Sequence, residues 1–231
     1  MKITNVKVDM FNWKTEAWKT GVGTTFGDTR QLGIVTVETD EGVSGNAFLG
    51  SSRMGADHFV KGMMEFIKPI VMGRNPQDIG AIWWEMWKMN RSVSTYIIGA
   101  IDICLWDIAG KLYDEPLYRL LGGEKKPLPA YASTLHGDEN GGLNTPQDFA
   151  EFAEQCYEMG YRSFKVHGWG RARSNIRREV DNVRLLGRQF EGRMDLLIDP
   201  ACEVKNFGDA LKLGRACDEA GFFWWEDPYQ D

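Results

Sequence analysis

The strongest constraint on the fold is a repeat in the second half of the chain. Short apolar segments begin near residues 129, 162, 194 and 222, and segments with helical spacing separate them. The starts lie roughly 28 to 33 residues apart, which is the length of a strand, a crossover helix and their turns. Repeated units of this kind place successive strands parallel in one sheet. We therefore predict four parallel β/α units, with strands in PAYAST, RSFKVHG, MDLLIDP and FFWWEDP. The intervening helices are expected over about 146–159, 175–189 and 207–219.

The first half of the chain has a different pattern. Alternating β-branched residues over 3–8 and 33–40 predict strands of an antiparallel meander. Residues 56–121 carry large apolar residues at helical spacing, and one helix is expected over about 94–112. The segment Lys14 to Arg30 is rich in Gly and Thr, and we expect a long loop there. This half is thus predicted to be a separate α+β unit.

Composition indicates a globular protein that is not built to bind nucleic acid or to cross a membrane. Hydrophobic residues make up 43% and charged residues 26% of the 231-residue chain, and a net charge of −6 offers no basic face. No apolar run approaches the roughly 20 residues of a membrane span, and the N-terminus does not resemble a signal peptide. The four cysteines have no metal-type spacing, so we expect reduced core thiols in a cytoplasmic protein.

Polar residues end three of the four predicted strands of the repeat. Lys165 and His167 are two residues apart, so both project to the same side of their strand. Asp199 ends the third strand and Glu226 the fourth, with Asp227 expected on the opposite side. Because the C-terminal ends of parallel strands converge in an α/β barrel, we expect these groups to meet. Together they suggest a hard divalent cation such as Mg²⁺ beside a base.

Each of these residues also has a purely structural interpretation. An Asp before Pro commonly forms a turn, and a strand-end Glu is often a surface charge. A strand-end Lys can extend its ammonium group into solvent, and a lone His is often simply hydrogen-bonded. Taken singly, the residues favour structure, whereas their common phase at successive strand ends favours a site.

The segment AIDICLWDIAGKLYDEPLYRLLGG, residues 100–123, resembles the signature helix of the mandelate racemase group in the enolase superfamily. The resemblance continues through the meander, the helical block, Lys-x-His, Asp and WWEDP, and so spans the chain. It implies an α+β N-terminal capping domain, residues 1–125, followed by the first half of a modified TIM (β/α) barrel, residues 126–231. A complete barrel needs about eight strands, so we expect the working polypeptide to be longer than this chain.

The resemblance also implies roles for the strand-end residues. Asp199 and Glu226 would be Mg²⁺ ligands, with a third ligand expected on a fifth barrel strand outside this chain. Lys165 and His167 would be catalytic, with Lys165 placing positive charge near the developing enediolate. Relatives commonly show Lys-x-Lys, so His167 is either the acid/base residue or a hydrogen-bond donor to a substrate hydroxyl. Ala201 stands where relatives often carry Asn or His.

The implied function is that of a lyase. Mg²⁺-dependent removal of the α-proton of a small carboxylate substrate would lead to dehydration of a sugar acid to a 2-keto-3-deoxy acid. A racemase or epimerase of a 2-hydroxy acid is the alternative, and a non-catalytic binding or assembly module with a vestigial site is the second alternative. The early loop matches the family's cap loop, which makes Trp18, Thr24, Thr25 and Phe26 substrate-binding candidates. The resemblance also suggests a homo-oligomer.

Overall fold

The computed structural model describes residues 1–15, 18–19, 25–26, 28–51, 54–134, 142–169 and 175–229. Backbone contacts group these residues into two compact units. The first contains the described residues of Met1–Trp18 and Phe26–Lys126, and the second those of Lys19–Thr25 and Pro127–Asp231. We keep residues 1–125 and 126–231 as the proposed domain limits.

Strands dominate the beginning of the chain. They are β1 (Ile3–Lys14), β2 (Trp18–Lys19), β3 (Thr25–Phe26), β4 (Thr29–Thr39) and β5 (Ser44–Leu49). The antiparallel sheet of the first unit has the order β1-β4-β5, which confirms the predicted meander. Its buried face comes from the alternation of the sequence, since Val6 lies opposite Val37 and both are within 1% of complete burial.

The hairpin between β1 and β4 runs further than predicted. Lys14 is still paired with Thr29, so regular pairing continues into the segment expected to be a loop. The short strands β2 and β3 pair with each other inside that segment. The loop expected over Lys14 to Arg30 is therefore shorter, because cross-strand pairing extends beyond the region of alternating β-branched residues.

Helices cover one face of this sheet. They are α1 (Asp57–Gly62), a π-helical turn (Met63–Ile67), α2 (Lys68–Val71), α3 (Ile79–Trp87), α4 (Thr95–Tyr113) and α5 (Leu117–Leu120). The helix α4 lies one residue from its predicted limits, with Ser94 accepting a hydrogen bond from the Tyr96 amide and Asp114 left-handed after its end. A Cβ on Gly45 would overlap the Cys104 carbonyl, so glycine allows β5 and α4 to approach closely.

The second unit is a parallel β/α array. Its elements are β6 (Ala132–Ser133), α6 (Pro146–Glu158), β7 (Ser163–Val166), α7 (Ile176–Phe190), β8 (Asp195–Ile198), α8 (Phe207–Glu219) and β9 (Trp224–Trp225). The strands are parallel neighbours in the order β6-β7-β8-β9, which confirms the predicted repeat. Side-chain caps begin the three long helices, at Thr145, Asn175 and Asn206.

Alternation along these strands separates an apolar face from a polar one. Phe164 and Val166 of β7 lie in a core formed with α6 and α7, and Ile198 of β8 packs in the core formed with α8. The alternate residues, including Lys165, therefore project from the other face of the sheet. The helices bury one side of the sheet and leave the strand-end polar groups together on the other.

The cysteines follow the expectation of reduced thiols, with one difference in burial. None of the four forms a disulfide in the structure, and Cys104, Cys156 and Cys217 are buried. Cys202 is only half-buried and has a left-handed backbone (φ 62°), so the core position expected for it was wrong.

In the described part of the chain, no helix is long and apolar enough to cross a bilayer.

Candidate active site

The strand ends of the second unit bring the predicted site residues to one place. The backbone N–H of Asp199 donates to the Val166 carbonyl (2.8 Å), and that of Glu226 donates to the Ile198 carbonyl (2.8 Å). These bonds continue the parallel ladder one step beyond β8 and β9. As a result both carboxylates emerge at the same edge of the sheet as Lys165.

Lys165 lies between the two carboxylates. Its Nζ donates to Asp199 Oδ2 (3.1 Å) and to Glu226 Oε2 (3.2 Å), and the residue is only 7% exposed. Burial alone would lower the pKa of Lys165, but the bonds to Asp199 and Glu226 outweigh it and raise the pKa above the ordinary lysine value. Lys165 is thus held as a cation.

Asp199 is the centre of the hydrogen-bond network. Its Oδ2 faces both Lys165 Nζ (3.1 Å) and His167 Nε2 (3.1 Å), and its Oδ1 accepts from the Ala201 amide (2.9 Å). Burial tends to raise the pKa of Asp199, but the Ala201 amide, Lys165 and His167 together lower it. Asp199 is therefore a buried carboxylate that remains ionised.

His167 is held from the neighbouring strand. Its backbone N–H donates to Thr134 Oγ1 (3.0 Å), and the Thr134 amide donates to the Lys165 carbonyl (3.0 Å). Thr134 is 4% exposed and was not identified from the sequence. The available signal was that PAYAST, like the other strand segments, also ends in a polar residue.

Tyr131 is a second residue that the sequence analysis missed. Lys165 Nζ lies 5.2 Å from the centroid of the Tyr131 ring, in cation–π contact. The edge of Trp224 meets the same ring, with 5.7 Å between centroids. Tyr131 thus packs between the ammonium group and an aromatic residue of the fourth strand.

Asp227 corrects the expectation that it points away from Glu226. Its φ is +38°, so the backbone turns there and the strand alternation no longer applies. Among the described residues, one oxygen each from Asp199, Glu226 and Asp227 lies within 4.8 Å of the other two. Asp227 is thus a further carboxylate beside the two predicted ligands, and the third ligand expected on a fifth strand stays a prediction.

Backbone bonds join the two loops that carry these acids. The Cys202 amide donates to the Asp227 carbonyl (2.7 Å), and the Val204 amide donates to the Pro228 carbonyl (3.2 Å). Ala201 and Cys202 are left-handed, at φ 49° and 62°. Non-glycine residues with left-handed backbone angles are uncommon and concentrate at functional sites.

The donor set fits a hard divalent cation. Carboxylate oxygens are the ligands that Mg²⁺ prefers, and Mg²⁺ commonly binds through one or two protein carboxylates together with waters and substrate oxygens. The three carboxylate oxygens within 4.8 Å of one another meet that requirement. The ligand roles themselves stay a prediction.

The side chains of the predicted substrate-binding residues lie outside the described part of the structure. Thr24 lies outside the described residues. Trp18 belongs to β2, and Thr25 and Phe26 form β3, but their side chains also lie outside the described part. Their substrate-binding role stays a prediction.

Comparison with known families agrees with the fold and with the order of the motifs. Residues 3–122 match the family described as mandelate racemase / muconate lactonizing enzyme, N-terminal domain. Residues 148–231 match the family described as enolase C-terminal domain-like. The two matches cover the antiparallel unit and most of the parallel array.

Individual relatives include both dehydratases and a racemase. An arabinonate dehydratase from Saccharolobus solfataricus is 26% identical over 84% of this chain and 51% of its own length. An N-succinyl-L-Arg/Lys racemase from Bacillus cereus is 27% identical over 84% of this chain and 51% of its own length. The chain spans about half the length of these curated relatives.

A solved structure extends the similarity over the entire chain. D-glucarate dehydratase from Agrobacterium tumefaciens, complexed with magnesium, superimposes with a TM-score of 0.84 and 27% identity. The match covers 100% of this chain and 62% of that one. With residues 3–122 matched by the family's N-terminal domain, this chain belongs to the mandelate racemase / muconate lactonizing enzyme family of the enolase superfamily.

Proposed function

We propose that this chain contributes the first part of a Mg²⁺-dependent active site that removes the α-proton of a carboxylate substrate and dehydrates a sugar acid to a 2-keto-3-deoxy acid. The observation that carries the proposal is the buried Lys165 ammonium group, 3.1 Å from Asp199 and 3.2 Å from Glu226. A cation, an imidazole and a carboxylate cluster at one edge of the sheet supply the charges that this chemistry requires.

The difficulty of the reaction explains why these charges are needed. Removing a proton beside a carboxylate produces an unstable dianion, and preorganised positive charge is the largest available source of stabilisation. A Mg²⁺ ion, when bound, would neutralise charge on the substrate carboxylate. We assign Asp199 and Glu226 to hold that ion, together with the third ligand expected on a fifth strand, and Asp227 lies beside them. Lys165, whose pKa is raised, acts as a cationic hydrogen-bond donor to the developing enediolate.

His167 supplies a proton in this scheme. Its Nε2 faces the Asp199 carboxylate at 3.1 Å, and because a carboxylate accepts, Nε2 carries the hydrogen. The C2 proton passes to a second base, which we place on a later barrel strand. The C3–O bond breaks, and the leaving hydroxide takes one proton from protonated His167 to give water, which leaves a neutral imidazole. The resulting enol tautomerises to the 2-keto-3-deoxy acid.

Racemisation is the second candidate, and the racemase relative favours it. That reaction requires a base on each face of the α-carbon. The dehydratase relatives favour dehydration. A vestigial binding module would have no use for such a buried charge cluster, since burying charges is costly.

The test uses the protein at its full natural length. We would incubate it with Mg²⁺ and a panel of aldonic and aldaric acids, and detect 2-keto acid with semicarbazide. The same mixtures in D₂O, followed by NMR, would separate dehydration from exchange at C2. Keto acid from at least one substrate is expected. Deuterium incorporation at C2 without keto acid would replace the proposal with racemisation or epimerisation. The absence of both keto acid and deuterium incorporation would contradict both candidate functions.

A matched pair of variants connects activity to the site. Asp199→Asn should abolish turnover, because it removes a carboxylate from the cluster while keeping its shape. Asp195→Asn is the control, since Asp195 is exposed at the opposite end of the same strand. Equal activity in both variants would contradict the assignment of Asp199.

A further inference from the structure

A buried carboxyl group lies behind the segment that follows His167. Glu179, in the first turns of α7, is 6% exposed, and its Oε1 accepts a hydrogen bond from the Trp169 amide (3.0 Å). Buried carboxyl groups are expensive to keep unless they are paired or serve a purpose. The proposed chemistry makes no use of this group.

Gly168 brings the backbone directly against this carboxyl group. Its φ is +63°, a conformation that side-chain-bearing residues rarely adopt. A Cβ at this position would overlap Glu179 Oε2. Two constraints therefore require glycine at this position: the positive backbone angle and the close approach of Glu179.

Trp169 anchors the other end of the turn. The residue is 4% exposed, and its indole Nε1–H donates to the Leu143 carbonyl (2.9 Å). The guanidinium of Arg178 lies 4.0 Å from the ring centroid, and Phe149 meets the ring edge-on at 5.0 Å. The turn after His167 is thus held by α6, α7 and the residues before α6.

The environment of Glu179 favours its neutral form. Burial raises the pKa of Glu179 to about 8, against the smaller lowering effects of the Trp169 amide and the Arg178 charge. One turn further along α7, Asn182 is 1% exposed, and neither of its amide atoms has a hydrogen-bond partner among the described residues. This face of α7 therefore carries two buried polar side chains.

We propose that Glu179 is a positioning residue that sets the orientation of His167 by holding the Gly168–Trp169 turn against α7. Hydrogen bonds then hold the backbone at His167 and just after it. The His167 amide donates to Thr134 Oγ1 (3.0 Å), and the Trp169 amide donates to Glu179 Oε1 (3.0 Å). The inference rests on the role of His167 in the proposed function. Its test is nevertheless independent of turnover.

Two variants of Glu179 distinguish a positioning role of this residue from a general contribution to folding. Glu179→Gln keeps an acceptor for the Trp169 amide, whereas Glu179→Leu removes it. In the leucine variant, amide hydrogen exchange at Trp169 should rise by about 10-fold, the equivalent of one lost hydrogen bond. The glutamine variant should keep the wild-type rate. Asn182→Leu is the control on the same buried face and should leave Trp169 exchange unchanged.

The orientation of His167 is read from its imidazole Cε1–Hε1 NMR signal at one pH. The chain has 3 histidines, and His58, in the first unit, is an internal reference. The His167 signal should shift in Glu179→Leu and return in Glu179→Gln, while that of His58 stays in place. Gly168→Ala, which displaces the turn with Glu179 intact, should also shift it and serves if the leucine variant does not fold.

The outcomes are distinct. Faster Trp169 exchange with an unmoved His167 signal would make Glu179 an anchor of the turn only and would overturn the proposal. An unmoved His167 signal in Gly168→Ala would do the same. A full-length enzyme without turnover on any acid sugar would refute the proposed function but leave the NMR result standing. If turnover is found, kcat of Glu179→Leu should fall roughly 10- to 100-fold, because small displacements of a catalytic group are costly.

Discussion

Asp199 Oδ2 lies 3.1 Å from Lys165 Nζ, and the two side chains are only 10% and 9% exposed. A third group, His167 Nε2, reaches the same oxygen at 3.1 Å. One carboxylate oxygen therefore joins two adjacent strands and organises both proposed catalytic side chains. A cation bound at Asp199 would have to share that oxygen with them or displace them, which makes cation binding a direct probe of the site.

Asp199→Asn should weaken Mg²⁺ binding more than any neighbouring change. Loss of groups that only support a metal ligand commonly costs 10- to 100-fold in affinity, so loss of a ligand carboxylate should cost about 100-fold or more. Isothermal titration with MgCl₂ measures this directly. Asp195→Asn should bind like the wild type, and equal affinities of the two variants would remove Asp199 from the ligand set.

Lys165→Met should destabilise the protein and make its stability depend on Mg²⁺. Removing one partner of a buried ion pair leaves an uncompensated charge, with a cost of about 3 kcal/mol in the free energy of unfolding. Added Mg²⁺ should restore part of that loss, because a cation can replace the ammonium between Asp199 and Glu226. Thermal unfolding with and without MgCl₂ gives the comparison. Lys205→Met, at an exposed position, is the control. If MgCl₂ stabilises Lys165→Met no more than it stabilises the wild type, the cation and the Lys165 ammonium group do not share a position.

Gly214→Ala tests how α8 supports the fourth strand. A Cβ on Gly214 would overlap the indole ring of Trp225, the residue that precedes Glu226. We expect a loss of about 1 to 3 kcal/mol from overpacking, and weaker Mg²⁺ binding because the strand end must move. In Gly208→Ala, on the same helix, the nearest contact is 3.3 Å, to Asn206 Oδ1, and the change should be close to neutral. Similar urea-unfolding midpoints for the two variants would contradict the packing argument.

Glu179 should make stability fall as the pH rises towards 8. Its folded-state pKa is raised to about 8, whereas an unfolded glutamate titrates near about 4.3. Between these values the unfolded chain has released the proton and the folded chain still holds it, so the free energy of unfolding falls by about 1.4 kcal/mol per pH unit from this group. Below the unfolded pKa the penalty disappears, and above the folded pKa it levels off.

Glu179→Gln provides the measurement. Its advantage in the free energy of unfolding over the wild type should widen from about pH 5 to about pH 8 and then stay constant. Urea unfolding followed by circular dichroism at several pH values measures that difference. Glu158→Gln, at an exposed position of α6, should show no such widening. A constant difference for Glu179→Gln would mean that the buried carboxyl titrates at its ordinary value.

Several features of the fold could be read from local sequence. Apolar spacing placed α8 at Phe207–Glu219, as observed, and the 28- to 33-residue repeat predicted parallel strands. The meeting of Lys165, Asp199 and Glu226 also followed, because strand alternation and parallel pairing are regular. These features depend on periodicity, and periodicity is present in the sequence.

Other features were decided only by the tertiary structure. Asp227 joins the carboxylate cluster because its backbone is left-handed, at φ 38°, and Cys202 donates to its carbonyl across two loops. Tyr131, Thr134 and Glu179 act through contacts with residues 10 or more positions away, such as Trp169 with Glu179 and His167 with Thr134. By itself the sequence determined which side chains project from each strand end. Which neighbours they meet depends on backbone angles and inter-element contacts, and these arise only when the separate units of the repeat pack together.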